Sequence, residues 1–369
     1  MRSVVVGCVA CGLGSLAACT AALVPSARPV LSPISASFVS ASMGWLLAVP
    51  PCAAHGCRSL RMRKTTDGGR HWFAVPAPPS RLSTWPSAIF GGSPPEGSAG
   101  SVNSVIFASG TDGWAYGPGL WATHDGGARW HQVSTGGTSV TDMAAGNGRV
   151  IAIFARCLAR RPCRSQVYSS PAGSDAWEPV AGTMGAGADI VISGPTGYAT
   201  ASQDGARPTL LVGPASGATS WRARPVPCRR RELGGGAPPV AAAGSALVVG
   251  CGGEPGAGNQ VKRLYLSHDG GATWRRLDGL PFLGYLGAVS VTPAGTICAS
   301  GGRSNVYTSW DGGQTWHTSP SLHSADSGDG LAATMITSRE GVILQASIYY
   351  KQIWLTYDAG RRWTPVTVR

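Results

Sequence analysis

The chain has 369 residues and a formal net charge of +12, carried almost entirely by Arg because Lys occurs only at Lys64, Lys262 and Lys351. With 53 Gly, 27 Pro and 13 Trp, and no long helical periodicity beyond the N-terminus, the composition argues against a helical bundle and for many short strands joined by turns. The basic balance favours anionic neighbours such as acidic glycans, phosphate polymers or anionic lipid surfaces. No nucleic-acid-binding motif accompanies it, so nucleic acid is not an expected partner.

Residues 1–18 read as an export signal: Met1-Arg2 is a minimal positive start, and Val4 to Ala18 is apolar and small. The run ends in Leu16-Ala17-Ala18-Cys19, which resembles the lipobox of bacterial lipoproteins and implies lipidation at Cys19. A plain cleaved signal and an uncleaved anchor are the alternatives. Each of the three places the rest of the chain outside the cytoplasm, on the outer face of the cytoplasmic membrane or secreted. Residues 19–35, with Pro25, Pro29 and Pro33, read as a tether.

From Ala36 onward an eight-residue pattern, Ser/Thr-x-Asp-x-Gly-x-x-Trp, recurs with Asp67 and Trp72, Asp125 and Trp130, Asp269 and Trp274, Asp311 and Trp316, and Asp358 and Trp363. Asp-Gly is a strong hairpin signal, so the pattern predicts a tight turn whose Asp accepts backbone N–H bonds and whose Trp covers the returning strand. Turn chemistry explains these Asp residues without catalysis. The second repeat, 101–135, shows four short strands in a row, A to D: Val105-Ile106-Phe107, Gly113 to Gly117, Leu120-Trp121-Ala122 and His131-Gln132-Val133. Units at about 36–79, 139–181, 188–226, 239–280, 285–319 and 331–369 complete a series of seven, the third and fourth with degraded boxes. Seven four-stranded units predict an all-β fold, a seven-bladed β-propeller with antiparallel blades. Radial closure hides the edges that a linear stack would expose. The ring closes by packing of blade seven on blade one, or with an extra strand from the tether.

The phrase Phe107…Gly113-Trp114-Ala115-Tyr116-Gly117…Thr123-His124-Asp125-Gly126-Gly127…Trp130 resembles the Asp-box, or BNR, repeats of sialidase-like propellers. It is still more similar to non-enzymatic propellers related to the photosystem II stability and assembly factor. The sialidase likeness implies an arginine triad, a Tyr/Glu nucleophile pair and an Asp acid. The nearest matches to the first Arg motif, Arg28-Pro29 and Arg207-Pro208, stand outside the first blade, where that family places it. Asp142, Asp189 and Asp329 fall near the starts of channel-lining first strands and are the alternative carboxylate site, although strand-entry turns or a solvated rim are the more ordinary explanation. The seven His are scattered along the chain, no zinc spacing, nucleophile elbow or phosphate loop is present, and no metal or cofactor is expected.

Cys52 with Cys57, and Cys157 with Cys163, each flank a short loop between second and third strands and read as local disulfides in an exported protein. Cys228, Cys251 and Cys298 leave Cys228–Cys251 and Cys251–Cys298 both open. These loops share a face with the connections between blades. That face carries Arg58, Arg156, Arg160, Arg161, Arg164, Arg229, Arg230 and Arg231, whose planar forks suit carboxylate and phosphate. The expectation is a monomeric, exported, lipid-anchored, non-enzymatic propeller that binds a protein or an anionic envelope polymer. The rival is a sialidase-like glycoside hydrolase.

Overall fold

The computed structural model describes residues 29–369 except 52–58, 84–99, 158–162, 183, 186–187, 202–206, 217–219, 235–236, 257, 282–283, 302–304, 320–330 and 346–350. Seven four-stranded antiparallel sheets follow one another along the chain, each in simple meander order, as the repeat count predicts. Blade one consists of strands Ser32–Phe38, Gly44–Val49, Arg61–Thr65 and Phe73–Val75; blade two of Ser104–Phe107, Gly113–Tyr116, Leu120–Thr123 and His131–Gln132. The A strands of successive blades touch one another around the centre, and the short, exposed D strands lie at the periphery.

The first A strand begins at Ser32, ahead of the Ala36 start expected from the repeats, so the last residues of the expected tether are part of the sheet. The last D strand, Thr364–Thr367, belongs to blade seven alone. Among the described residues closure is by blade-to-blade packing: the Leu31 N–H donates to the Val368 carbonyl at 2.9 Å, and Leu31, Leu46 and Ala48 pack against Val342, Leu344, Ile353, Leu355 and Val368.

The core consists of seven apolar seams, one between each pair of neighbouring blades. Between blades one and two, Trp45 stacks on Phe107 with ring centroids 3.8 Å apart, against Leu47, Met62 and Val105. Both faces of a B strand pack on something, and Gly44–Val49 is accordingly buried throughout, an apolar run without alternation.

The Asp boxes form a wider turn than the two-residue hairpin the sequence suggests, since strand C of blade one ends at Thr65 and strand D begins at Phe73. Thr65 Oγ1 donates to Asp67 Oδ1 at 2.9 Å and accepts the Gly69 N–H at 2.8 Å, while Asp67 Oδ1 accepts the His71 N–H at 2.9 Å. The same three bonds recur in the boxes that begin at Thr123, Ser267, Ser309 and Thr356. The two residues after Asp67 have φ of 74° and 90°, which accounts for Gly there; in the last box Ala359 takes the first of these positions at 62°. The backbone N–H of His71 is the main cause holding Asp67 down to about 2, and the Arg129 side chain does the same for Asp125. These carboxylates are committed to their turns.

Each intact box also presents a carbonyl to the preceding blade. Gly68 O accepts from Tyr357 Oη at 3.0 Å, Gly126 O from Trp45 Nε1 at 3.0 Å, and Gly270 O from Arg224 Nη1 at 2.7 Å. Gly312 O accepts from Arg275 Nη2 at 2.7 Å, and Ala359 O from Trp310 Nε1 at 2.7 Å. The two degraded boxes keep the connection by other means. Ala215 O in blade four accepts from Ser169 Oγ at 2.8 Å, and in blade three the acceptor is a side chain, Asp175 Oδ1, bonded by Trp114 Nε1 at 2.9 Å.

Trp45→Phe keeps the stack on Phe107 but leaves the buried Gly126 carbonyl without its donor. A loss of about 1–2 kcal/mol in chemical denaturation is expected; an unchanged denaturation midpoint would show that the seam bond contributes nothing.

Candidate functional site

Antiparallel alternation divides the connections between two faces. The A–B turns and Asp boxes lie on one, and the B–C loops and the D–A connectors between blades lie on the other. On the second face, strand B of blade three, Arg149–Arg156, pairs with strand C, Arg164–Pro171, so that Arg156 and Arg164 stand directly opposite each other. The Cys157–Cys163 disulfide closes the hairpin immediately beyond them, as the spacing suggested. Both arginines are exposed, and Arg156 Nη2 donates to the Gly136 carbonyl at 2.9 Å. Like charges directly opposite on a ladder cost stability unless an anion sits between or above them.

A second basic feature lies in the connector between blades four and five. Arg230–Glu232 forms a single 3-10 turn. The Cys228–Cys251 disulfide ties the connector to strand B of blade five, which settles the pairing the sequence left open; Cys298 remains a buried thiol, its pKa pushed up to about 11 by burial. Glu232 is 1% exposed, and its Oε2 accepts the Arg229 N–H at 3.0 Å and the Tyr265 hydroxyl at 2.8 Å. Burial, with Glu232 beside it, pushes the Tyr265 phenol up to about 12. Inward anchoring of Glu232 leaves Arg229, Arg230 and Arg231 all exposed. A cleft of about 390 Å³ lined by Leu60, Met62, Val75 and Pro78 opens toward the same face of blade one. Cys19, Cys52, Cys57, Arg58, Arg160, Arg161 and Asp329 lie outside the described residues.

At the centre, Asp142 and Asp189 on the A strands of blades three and four meet at the Ile190 N–H, which both accept. Asp142 Oδ1 accepts the Met143 N–H at 2.9 Å and Oδ2 the Ile190 N–H at 2.9 Å; Asp189 Oδ1 accepts the Ile190 N–H at 3.0 Å and Oδ2 the Val240 N–H at 2.8 Å. Each carboxylate thus reaches from its own blade to the inner strand of the next. Seryl groups do the same elsewhere: Ser35 and Ser37 accept from Val105 and Phe107, and Ser290 accepts from Met335. Burial and the neighbouring Asp189 carboxylate push Asp142 well above the ordinary carboxylate range, and burial also raises Asp189. Bringing two carboxyl groups together disfavours ionising both, so the pair holds a proton to higher pH than either acid would alone. The Tyr116 phenol beside them is pushed up by its burial and by the Asp142 carboxylate.

Of the residues read from the sequence, Arg156, Arg164 and Arg229 to Arg231 are exposed and Asp142 and Asp189 lie on A strands; the anchor Glu232 was missed. The sequence also scatters the histidines, two of which the fold brings together: His124, His131 and Asp175 converge at the seam between blades two and three, and among the described residues they are the group able to offer three metal-ligating atoms.

No protein-family model matches the chain, and no curated protein does. Among solved structures it is similar to a YCF48 bound to a D1 peptide, with 19% identity over 90% of this chain and 94% of that one and a TM-score of 0.57. It is also similar to YCF48 from Cyanidioschyzon merolae, at 15% identity over 91% and 98% with a TM-score of 0.56. A prolyl endopeptidase structure matches at 11% identity and a TM-score of 0.55, but only half of that chain is covered. At these identities the likeness is one of fold: a seven-bladed propeller.

An acid raised in the folded state makes stability highest below its unfolded pKa, here 3.8, and lowers it as pH rises toward the folded value. Asp142→Asn removes that decline but keeps a single acceptor oxygen for the Met143 and Ile190 N–H groups, so the variant also starts from a lower stability. Unfolding temperatures followed from acid to neutral pH are expected to fall less in the variant than in the wild type.

Proposed function

We propose that the chain is an exported, non-enzymatic propeller, anchored by lipid at Cys19, that holds a protein or anionic envelope partner on the face formed by the B–C loops and D–A connectors. The observation that carries this reading is the opposed pair Arg156 and Arg164 on a stapled hairpin, sharing a face with the anchored Arg229 to Arg231. An arrangement that holds like charges together against their repulsion favours an anionic occupant, and Arg forks suit carboxylate and phosphate. A YCF48 structure of similar shape is bound to a peptide, which supports a peptide or protein as the occupant here.

The hydrolase reading rests on Asp142 and Asp189. Glycoside hydrolysis places its two carboxyl groups about 5 Å or more apart, with the substrate or a water between them. Here the two acids converge on the Ile190 N–H, and all four of their oxygens accept backbone N–H groups, which favours a structural role. Turnover in a broad glycan screen that Asp142→Asn or Asp189→Asn abolishes would overturn the non-enzymatic reading.

Two measurements test the proposal. Retention of the purified protein on an immobilised acidic peptide should fall with added salt, and should drop by about tenfold when Arg229, Arg230 and Arg231 become Ala, taking a few tenths of a kcal/mol or more per exposed charge. Cys19→Ser should move the chain from the membrane fraction to the soluble fraction; unchanged membrane association removes the lipid anchor from the proposal.

A further inference from the structure

The seam between blades two and three differs from the others. Its acceptor is the side chain of Asp175, in the stretched box of blade three, where the intact boxes offer a carbonyl. Asp175 Oδ1 is used by the Trp114 indole, and Oδ2 points at two imidazoles: His131 Nε2 at 2.7 Å and His124 Nε2 at 3.4 Å. The other ring nitrogen of His124, Nδ1, lies 2.9 Å from Asp112 Oδ1. Asp112 is itself fixed, because its Oδ2 accepts from Ser109 Oγ at 2.6 Å and Thr111 Oγ1 at 2.9 Å. The three inward atoms, two imidazole nitrogens and a carboxylate oxygen, all lie within 4.8 Å of one another.

From this geometry we infer that His124, His131 and Asp175 form a binding site for one divalent transition metal of the zinc class. Two Nε2 donors and one carboxylate oxygen are a ligand set suited to zinc and its neighbours rather than to calcium or magnesium, which favour all-oxygen sites. A carboxylate on the far nitrogen of a ligating imidazole fixes its tautomer and direction, which is what Asp112 does for His124; the Trp114 indole does the corresponding service for Asp175. Metal-ligand distances near 2.0–2.1 Å require the three atoms to stand roughly 3.3 Å apart: the His124–Asp175 pair at 3.4 Å already does, the His131–Asp175 pair must open from 2.7 Å, and the two imidazole nitrogens, within 4.8 Å, must close. The His131 side chain, 55% exposed on a two-residue edge strand, has the freedom to close that distance, whereas His124 and Asp175 are held by their partners. The open side admits water to the remaining coordination position. The site lies on the Asp-box face, away from the Arg-bearing loops, and ligates across the seam, His124 and His131 from blade two and Asp175 from blade three. Bound metal would therefore clip these blades together.

The test is calorimetric titration of the full-length, tag-free chain with zinc chloride, alongside His131→Gln and Asp112→Asn. The expected result is one zinc per wild-type chain, with affinity lowered by tenfold or more in His131→Gln and by about tenfold in Asp112→Asn, where only a positioning residue has changed. Zinc should also raise the unfolding temperature of the wild type and not that of His131→Gln. His131 is exposed, so the variant is expected to fold, which its unfolding transition without metal checks. Should that transition be lost, the cobalt-substituted wild type decides: a visible band of four-coordinate cobalt supports the site, and an aqua-ion spectrum overturns it. Absence of zinc binding by the folded wild type, or equal binding by folded His131→Gln, also overturns the inference.

Discussion

The structure depends on one repeated hydrogen bond, the one that crosses from each blade into the turn of the next. A four-stranded blade has two faces to bury and cannot do so alone, so the propeller is stable only when neighbouring blades are held in register. The Asp box fixes that register. Its Ser/Thr and Asp side chains satisfy the turn internally, which forces two successive residues into positive φ and leaves a carbonyl facing backward to the preceding blade. Indole, phenol and guanidinium groups reach that carbonyl from whatever position the preceding blade provides.

The two faces of the ring consequently carry different burdens. The box carboxylates are taken up by internal bonds and held ionised by the N–H and side-chain donors they serve. The opposite face has loops of unequal length, two disulfides and exposed basic side chains. The inner strands follow the same logic as the boxes. Ser35, Ser37, Asp142, Asp189 and Ser290 lend side-chain acceptors to the next blade's backbone, so a carboxylate at the channel is as much a joint as a chemical group.

The blade count, the strand order and the local Cys157–Cys163 bridge were legible because each is written in short-range chemistry: a turn motif, a strand run, a six-residue spacing. The width of the box turn was not, since Asp-Gly signals a tight hairpin in isolation and only the bond from Asp67 to the His71 N–H lengthens it. The seam donors were hidden by their diversity: Trp45, Arg224 and Tyr357 share no pattern, and what they share is a partner supplied by the next blade. The same holds for His124 and Asp175, 51 residues apart and adjacent only through the ring. Asp142 and Asp189 were read as channel residues, but their meeting at the Ile190 N–H follows from the angle between blades, which no stretch of sequence encodes.

The bond between Leu31 and Val368 stands where a D–A connector would run if the ring were covalently continuous. The chain therefore enters the ring on the connector face, the side that displays Arg229 to Arg231. A lipid at Cys19 would lie no more than roughly 40 Å of extended chain from that entry point. Under the proposed anchor, the break in the circle would set the orientation of the whole disc, with the basic side leashed toward the bilayer and the Asp boxes turned outward.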